Sequence, residues 1–367
     1  MHEDITEIQL NEISELSKRG YQLLKENLLK EANEAFFSIL GIDPRNNYAL
    51  VGLGDAARKR HDFKHAIDFY QSCLEHHPGN NYALFGLADC YKALNHYNQA
   101  IKIWEKYLQH DNTNVTVLTR VADAYRKVRD FRHSREIYLR VLEMENDNAY
   151  ALIGLGHLHY DFKEYQEALR YWERMVDLHK NDSDIRIYTS LGNCHRKLKT
   201  FKNGLVYFEK ALAMESNNFY ALFGIADCYR GLNIQEKSLE NWLKILKLDP
   251  HNKVILTRVG DAYRGLGKYE EAEEYYKKAL NIEFDVYAIL GLALINKTHG
   301  KYEEAISSMF NLIQNDPKNH RLYSEIAECY LRLNRKDKAL EILMEFQRQG
   351  IRNVHVLEMI ESIKHRS

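Results

Sequence analysis

Along nearly the whole chain, apolar residues fall at i, i+3, i+4 and i+7, with polar residues on the opposite side and no stretch of strand-like alternation. The pattern predicts helices throughout, and it repeats. Small residues recur about every 34 positions, at Ala32, Ala66, Ala100, Ser134, Ala168, Gly204, Ser238, Ala272, Ala305 and Ala339. Twelve residues before each stands another small one: Gly20, Gly54, Ala88, Ala122, Gly156, Gly192, Ala226, Gly260, Ala293 and Ala327. Four residues after each comes a bulky one, from Phe36, Tyr70 and Trp104 through to Met309 and Leu343. Two antiparallel helices per unit would need small residues where their backbones cross and a large side chain to fill the gap to the next unit. Numbered so that the small pair falls at positions 8 and 20, units begin near residues 13, 47, 81, 115, 149, 185, 219, 253, 286 and 320.

The breaks between units carry their own chemistry. The four prolines stand at Pro44, Pro78, Pro250 and Pro317, each two residues before an asparagine. Proline cannot continue a helix and asparagine caps one well, so each site predicts one helix ending and another starting. In Val354–Ser367, Val354, Leu357, Ile360 and Ile363 share one helical face. That stretch is expected to cap the open apolar side of the last unit.

These columns resemble the tetratricopeptide repeat (TPR) family, with Leu256, Gly260, Tyr263, Ala272, Tyr276 and Ala279 showing the family pattern in unit eight, and Leu50, Leu53, Gly54, Ala66, Tyr70 and Pro78 in unit two. The resemblance implies an all-α solenoid, a right-handed superhelix of antiparallel helix pairs. About ten units would occupy residues 1–353, and a C-terminal capping helix residues 354–367. It also implies that positions 2, 5, 6, 9, 12 and 13 of each first helix line a concave groove that binds peptides.

Several of those positions are chemically distinctive. Position 2 holds Tyr48, Tyr82, Tyr150, Tyr220 and Tyr287; position 6 holds Gly52, Gly86, Gly154, Gly224 and Gly291. A glycine costs about 1 kcal/mol against alanine inside a helix, so its repeated use implies that a neighbouring helix or a partner comes close there. Position 9 holds Asp55, Asp89, Asp123, Asn193, Asp227, Asp261 and Glu328, with Tyr21, His157 and Leu294 as exceptions. Position 12 holds Arg58, Lys92, Arg126, Arg196, Arg230, Arg264 and Lys297. An acid and a base three residues apart share a helix face, so most units are expected to form their own pair.

Part of the array is written twice. YALFGLADCYKAL at Tyr82–Leu94 returns as YALFGIADCYRGL at Tyr220–Leu232, 138 residues on, with ten of thirteen letters unchanged. VLTRVADAYR at Val117–Arg126 returns as ILTRVGDAYR at Ile255–Arg264. Units 2–5 and 6–9 therefore look like a duplicated block, and within it Thr119, Arg120, Thr257 and Arg258 replace the usual residues at positions 5 and 6. The expected groove residues of the two copies are Tyr48, Asp55, Tyr82, Phe85, Asp89, Lys92, Thr119, Arg120, Asp123, Arg126 and Tyr150, then Tyr220, Phe223, Asp227, Arg230, Thr257, Arg258, Asp261 and Arg264. Groove-facing aspartates would favour lysine or arginine on a ligand, tempered by the adjacent bases. Chaperone-type TPRs clamp a terminal carboxylate with Lys at position 5 and Asn at 9; Val51, Phe85 and Thr119 at position 5 disfavour such a ligand here.

Composition narrows the classes of function. A net charge of −1 over 367 residues offers no electrostatic footprint for nucleic acid, and no apolar run approaches the ~20 residues of a membrane span. The acidic MHEDITEIQL start lacks the pattern of a signal peptide. Five cysteines without paired spacing predict reduced thiols in a cytoplasmic protein, although a trimmed export signal stays open. Four of them, Cys90, Cys194, Cys228 and Cys329, sit at position 10, where other units carry alanine, and so predict small buried residues. His157 and His159, at i, i+2, face different sides of a helix and make a poor metal pair. The glycines of VGLGDAA lie inside a first helix and do not form a dinucleotide loop. The sequence thus predicts no cofactor, no metal and no catalysis. It predicts a scaffold for extended or helical segments of partner proteins, with self-association open. The alternative is a structural subunit of a larger bacterial assembly, such as an envelope, secretion or motility machine, contacting its neighbours through its convex face and ends.

Overall fold

The computed structural model describes residues 6–178 and 184–365. These residues form 21 helices and no strand. The expected array and cap also take in residues 1–5, 179–183 and 366–367, which lie outside the described residues. The helices fall into two compact units that divide between residues 183 and 184. The first holds α1 (Glu7–Lys25), α2 (Leu29–Ile42), α3 (Asn47–Lys59), α4 (Phe63–His76), α5 (Asn81–Ala93), α6 (Tyr97–His110), α7 (Val115–Lys127), α8 (Phe131–Met144), α9 (Ala149–Asp161) and α10 (Tyr165–Leu178). The second holds α11 (Ile185–Lys197), α12 (Phe201–Met214), α13 (Phe219–Gly231), α14 (Gln235–Leu248), α15 (Lys253–Gly265), α16 (Tyr269–Ile282), α17 (Val286–Thr298), α18 (Tyr302–Asn315), α19 (His320–Arg332), α20 (Lys336–Arg348) and α21 (Val354–His365).

Local chemistry starts and stops these helices. The asparagines that follow the prolines, Asn46, Asn80, Asn252 and Asn319, are N-caps whose side chains accept from the backbone N–H of Ala49, Ala83, Ile255 and Arg321. Asn114, Asn148 and Asn218 do the same without a proline. Each satisfies one donor that the first turn leaves orphaned. Between first and second helices the chain turns through one left-handed residue, at Asn27, His61, Asn95, Arg129, Lys163, Lys199, Asn233, Gly267, Gly300 and Asn334. The αL residue reverses the chain while the following N–H groups reach back to the helix carbonyls, as Asn95 N to Lys92 O and His96 N to Tyr91 O do. Helix α1 is longer than the other first helices because Thr6 and Gln9 form a reciprocal capping box ahead of the repeat.

The core follows the repeat columns. The small residues at positions 8 and 20 are buried where paired helices cross, and the bulky residues at position 24 are all buried. Ser134 and Ser238 fit at position 20 because each hydroxyl donates to the facing position-8 carbonyl, of Ala122 and Ala226, at 2.8 Å. The position-6 glycines are explained here too. A Cβ on Gly52, Gly86, Gly154, Gly224 or Gly291 would stand 2.2–2.3 Å from the ring of Phe36, Tyr70, Tyr138, Phe208 or Tyr276, the position-24 residue of the preceding repeat. The close neighbour is therefore the array itself, and the glycines are no sign of a partner. After Trp104 and Trp242 the next position 6 is Arg120 and Arg258.

At the C-terminal end α21 packs on α20 and α19. Its buried face is Val356, Ile360 and Ile363, while Val354 is 69% exposed and Leu357 half-buried. The expected face thus turns by part of a turn: Asn353 accepts from the backbone N–H of Val356, so Val354 is the first residue of the helix and faces solvent. All five cysteines are buried and none is joined in a disulfide. Burial pushes the Cys90 thiol up to about 12, which suits an inert packing residue.

Candidate functional site

Within each unit, successive first helices touch one another, as α1 with α3, α3 with α5, α7 with α9, α11 with α13 and α15 with α17 do, whereas successive second helices do not pack together to that extent. The first helices are thus drawn together and the second helices splayed, which makes the first-helix wall the inner one. Two kinds of side chain dominate that wall.

The first kind is a ladder of charges. Some acids pair within their own helix, as Asp55–Arg58 at 3.1 Å, Asp123–Arg126 at 2.8 Å, Asp227–Arg230 at 2.7 Å and Asp261–Arg264 at 3.7 Å do. The ladder also crosses between repeats: the base at position 12 meets the acid at position 9 of the next repeat in Arg58–Asp89 (3.6 Å), Lys92–Asp123 (4.0 Å), Arg196–Asp227 (2.6 Å) and Lys297–Glu328 (2.5 Å). Asp89 makes no bond to its own Lys92; Arg120, at position 6 of the next repeat, holds it at 2.8 Å and lies over the Phe85 ring. Asp89 thus departs from the in-helix pairing expected of most units. Adjacent first helices sit closer than the side-chain reach of arginine, so inter-repeat partners compete with the i+3 partner.

Burial changes the role of the repeated aspartates. The side chains of Asp89 and Asp227 are only 11% and 10% exposed. Removing one partner of such a pair leaves a poorly solvated charge behind, so both act as structural pins and leave little surface for a ligand. Their electrostatics nevertheless differ. At Asp89 burial outweighs the attraction of Arg120 and Arg58, and the carboxyl sits above its usual range. At Asp227 burial pushes the same way but hydrogen bonds from Arg230 and Arg196 win, and the carboxyl sits below it. Three N–H groups converge on Asp227, at 3.0, 2.7 and 2.6 Å, against one close donor on Asp89.

The hydroxyls of Tyr70 and Tyr276 join the ladder, donating to Asp55 and Asp261 at 2.7 and 2.8 Å. Sequence columns treat position 24 as filler, but only tyrosine has the hydroxyl to reach that acid, and Phe36 and the tryptophans cannot. Thr257 is buried and donates to Asp285, the N-cap of α17, at 3.1 Å, whereas its counterpart Thr119 is half-buried and donates to Thr116 O. Thr257 therefore leaves the open wall. Phe223 packs edge-on against Trp242 and serves the core as much as the surface. Arg258 reaches Asp261 in its own helix at 3.7 Å, unlike Arg120 in the first copy.

The second kind is aromatic. Tyr48, Tyr82, Tyr150, Tyr220 and Tyr287 all stand out into solvent, Tyr82 by 80%. In the first unit two cavities lie beside them. One, of about 660 Å³, is lined by Tyr21, Tyr48, Tyr82, Val51 and Asp55 among others. A second, of about 610 Å³, is lined by Lys92, Thr119, Arg120, Asp123, Tyr150 and His157 among others. Tyr21 and His157 are two of the three exceptions to the acidic column, and each lines one of these cavities. Burial, followed by the charge of Arg126, lowers the His157 imidazole below its ordinary value, so it lines the cavity as a neutral ring near pH 7. Its neighbour His159 points the other way, buried against Tyr171 and bonded to Glu164 at 2.6 Å. No group of histidine, cysteine and carboxylate side chains suited to a metal ion occurs among the described residues.

Family models described as tetratricopeptide repeat match residues 57–118 and 298–349, 120–183, 185–218 and 254–284. The chain belongs to the TPR family. Among solved structures, a TPR protein from Parabacteroides merdae ATCC 43184 is 16% identical, covers 69% of this chain and 99% of its own, and superposes with a TM-score of 0.53. MamA is 23% identical over 46% of this chain and 91% of its own, with a TM-score of 0.43. YrrB, described as a TPR protein with an unusual peptide-binding site, is 20% identical over 51% of this chain and 95% of its own, with a TM-score of 0.45. At such identities the likeness is one of fold. A comparison with curated proteins gave no match. As a TPR array the chain is a protein-interaction scaffold in general type. No helix of the described residues is long and apolar enough to cross a membrane.

Proposed function

We propose that this TPR array is a non-catalytic scaffold that holds extended or helical segments of partner proteins against its first-helix wall, the concave side of the repeats. The supporting observation is the tyrosine column. Five large aromatic side chains stand in solvent at one repeat position, on helices that each carry an inward charge held in an ion pair. Tyrosine offers wide contact area with few rotatable bonds, so little entropy is lost on binding, and the paired charges around it hold the surface in one arrangement. Cavities of about 660 and 610 Å³ beside the column give side chains of a bound segment somewhere to sit.

The test is capture of partners by crosslinking in native lysate, comparing the parent with Tyr82→Ala plus Tyr150→Ala. Both side chains are exposed, so helicity should stay intact while captured partners fall at least tenfold. Undiminished capture would overturn the reading. Charge reversal at Asp89 and Asp227 would be a poor test, because those side chains pin neighbouring repeats together.

A further inference from the structure

The 660 Å³ cavity at the amino-terminal end of the first unit differs in kind from the cavity beside Tyr150. In the latter, Arg120, Lys92 and His157 stand beside the carboxylates Asp123 and Glu145, so bases of the protein itself already face its acids. The former has three tyrosines, Tyr21, Tyr48 and Tyr82, and one carboxylate, Asp55. Tyr21 is fixed in place, its hydroxyl donating to the carbonyl of Tyr48 at 3.0 Å. Tyr48 and Tyr82 rise on either side as exposed walls. Tyr70 and Arg58 both approach the same oxygen of Asp55, Oδ1, at 2.7 and 3.1 Å. Asp55 Oδ2 carries no hydrogen bond among the described residues. The lining lysine, Lys18, is largely exposed and already paired with Glu15 at 2.9 Å.

We propose that this cavity is a receptor for a cationic side chain, lysine or arginine, carried by the segment that the array binds. Aromatic faces attract a cation through their quadrupoles, and the free carboxylate oxygen supplies a charge-assisted hydrogen bond. No arginine lines this space, whereas Arg120 lines the later cavity. The two cavities of the first unit therefore differ: one offers a carboxylate oxygen with no arginine in its lining, and the other already holds its own mixed charges, Arg120 and Lys92 beside Asp123 and Glu145. This proposal rests on the groove reading and adds the chemistry of one ligand position.

The experiment titrates the full chain, labelled with ¹³C on its tyrosine rings, with N-acetyl-arginine amide and with the neutral N-acetyl-norleucine amide. Resonances are assigned by Tyr→Phe substitution at 21, 48 and 82. The arginine derivative should shift all three rings saturably, and norleucine should bind at least fivefold more weakly. Asp55→Asn keeps Oδ1 for Tyr70 and Arg58 but removes the charge, so it should weaken arginine binding at least threefold and leave norleucine unaffected. Equal or tighter binding of norleucine, or no shift of the three rings, would overturn the proposal. Failure here alongside loss of partner capture in the Tyr82→Ala, Tyr150→Ala variant would remove the cation site and leave the groove reading standing. Arginine binding with undiminished capture would do the reverse.

Discussion

Replacing Gly224 by alanine tests why this chain tolerates glycine inside so many helices. A Cβ built there stands 2.2 Å from Cζ of Phe208 and 2.3 Å from Cε1, more than 1 Å inside ordinary carbon contact. The ring has no room to retreat. It is fully buried, and a Cβ on Gly192 of its own repeat would stand only 2.7 Å from it. Overpacking of a filled core costs about 1–3 kcal/mol, and the closeness of this approach places the cost at the upper end. Alanine returns about 1 kcal/mol of helix propensity. A net loss of about 2 kcal/mol follows. Urea unfolding followed by helical circular dichroism measures the loss, and amide exchange should place it in α12 and α13. Combining Gly224→Ala with Phe208→Leu should cost about 2 kcal/mol less than the two single changes added together, because the shorter side chain vacates the contested space. If Gly224→Ala proves neutral or stabilising, the ring is not what demands glycine, and close approach of a partner returns as the explanation.

The two copies of the repeated aspartate should titrate on opposite sides of an unfolded carboxylate, near 3.9. ¹³C shifts of the side-chain carboxyls should show Asp89 protonating above that value and Asp227 below it; titration of both on the same side would refute the account of their partners. The sign for stability follows. Asp227 contributes stability that is present above the unfolded value and lost as pH falls through its lower folded value. Asp89 does the opposite, gaining as pH falls through its raised folded value, since the native state then binds the extra proton. At the C-terminal end, Ile360→Ala should cost about 2–5 kcal/mol and accelerate amide exchange in α19–α21, while Val354→Ala should leave exchange unchanged. A large effect at Val354 would mean that α21 packs in another register.

Much of this architecture is fixed locally and was legible in the letters alone. Helix periodicity, the asparagine caps after each proline, and the small–small–bulky columns at positions 8, 20 and 24 each act within one or two helices, so each leaves a mark at fixed spacing. The meaning of Gly224 was not legible. The ring that excludes its Cβ belongs to a different repeat, and a glycine column looks the same whether a neighbour or a ligand fills the space. The charge ladder was half legible. The i+3 spacing of Asp227 and Arg230 announced one pair, but the partnership of Asp89 with Arg120 and Arg58 depends on how closely α3, α5 and α7 are drawn together.

The repeated stretch at Tyr82 and Tyr220 marks the same limit. Its letters determined two equivalent helices, each with an exposed tyrosine, a buried cysteine and an aspartate turned inward. Only the tertiary structure decided that one aspartate receives three donors and the other a single close one, because Arg196 and Arg120 reach in from neighbouring repeats whose sequences differ, while Arg230 adds two donors from the helix of Asp227 itself. Residue type and spacing set what a side chain can do; packing of separate repeats sets which partner it meets and how much water it keeps.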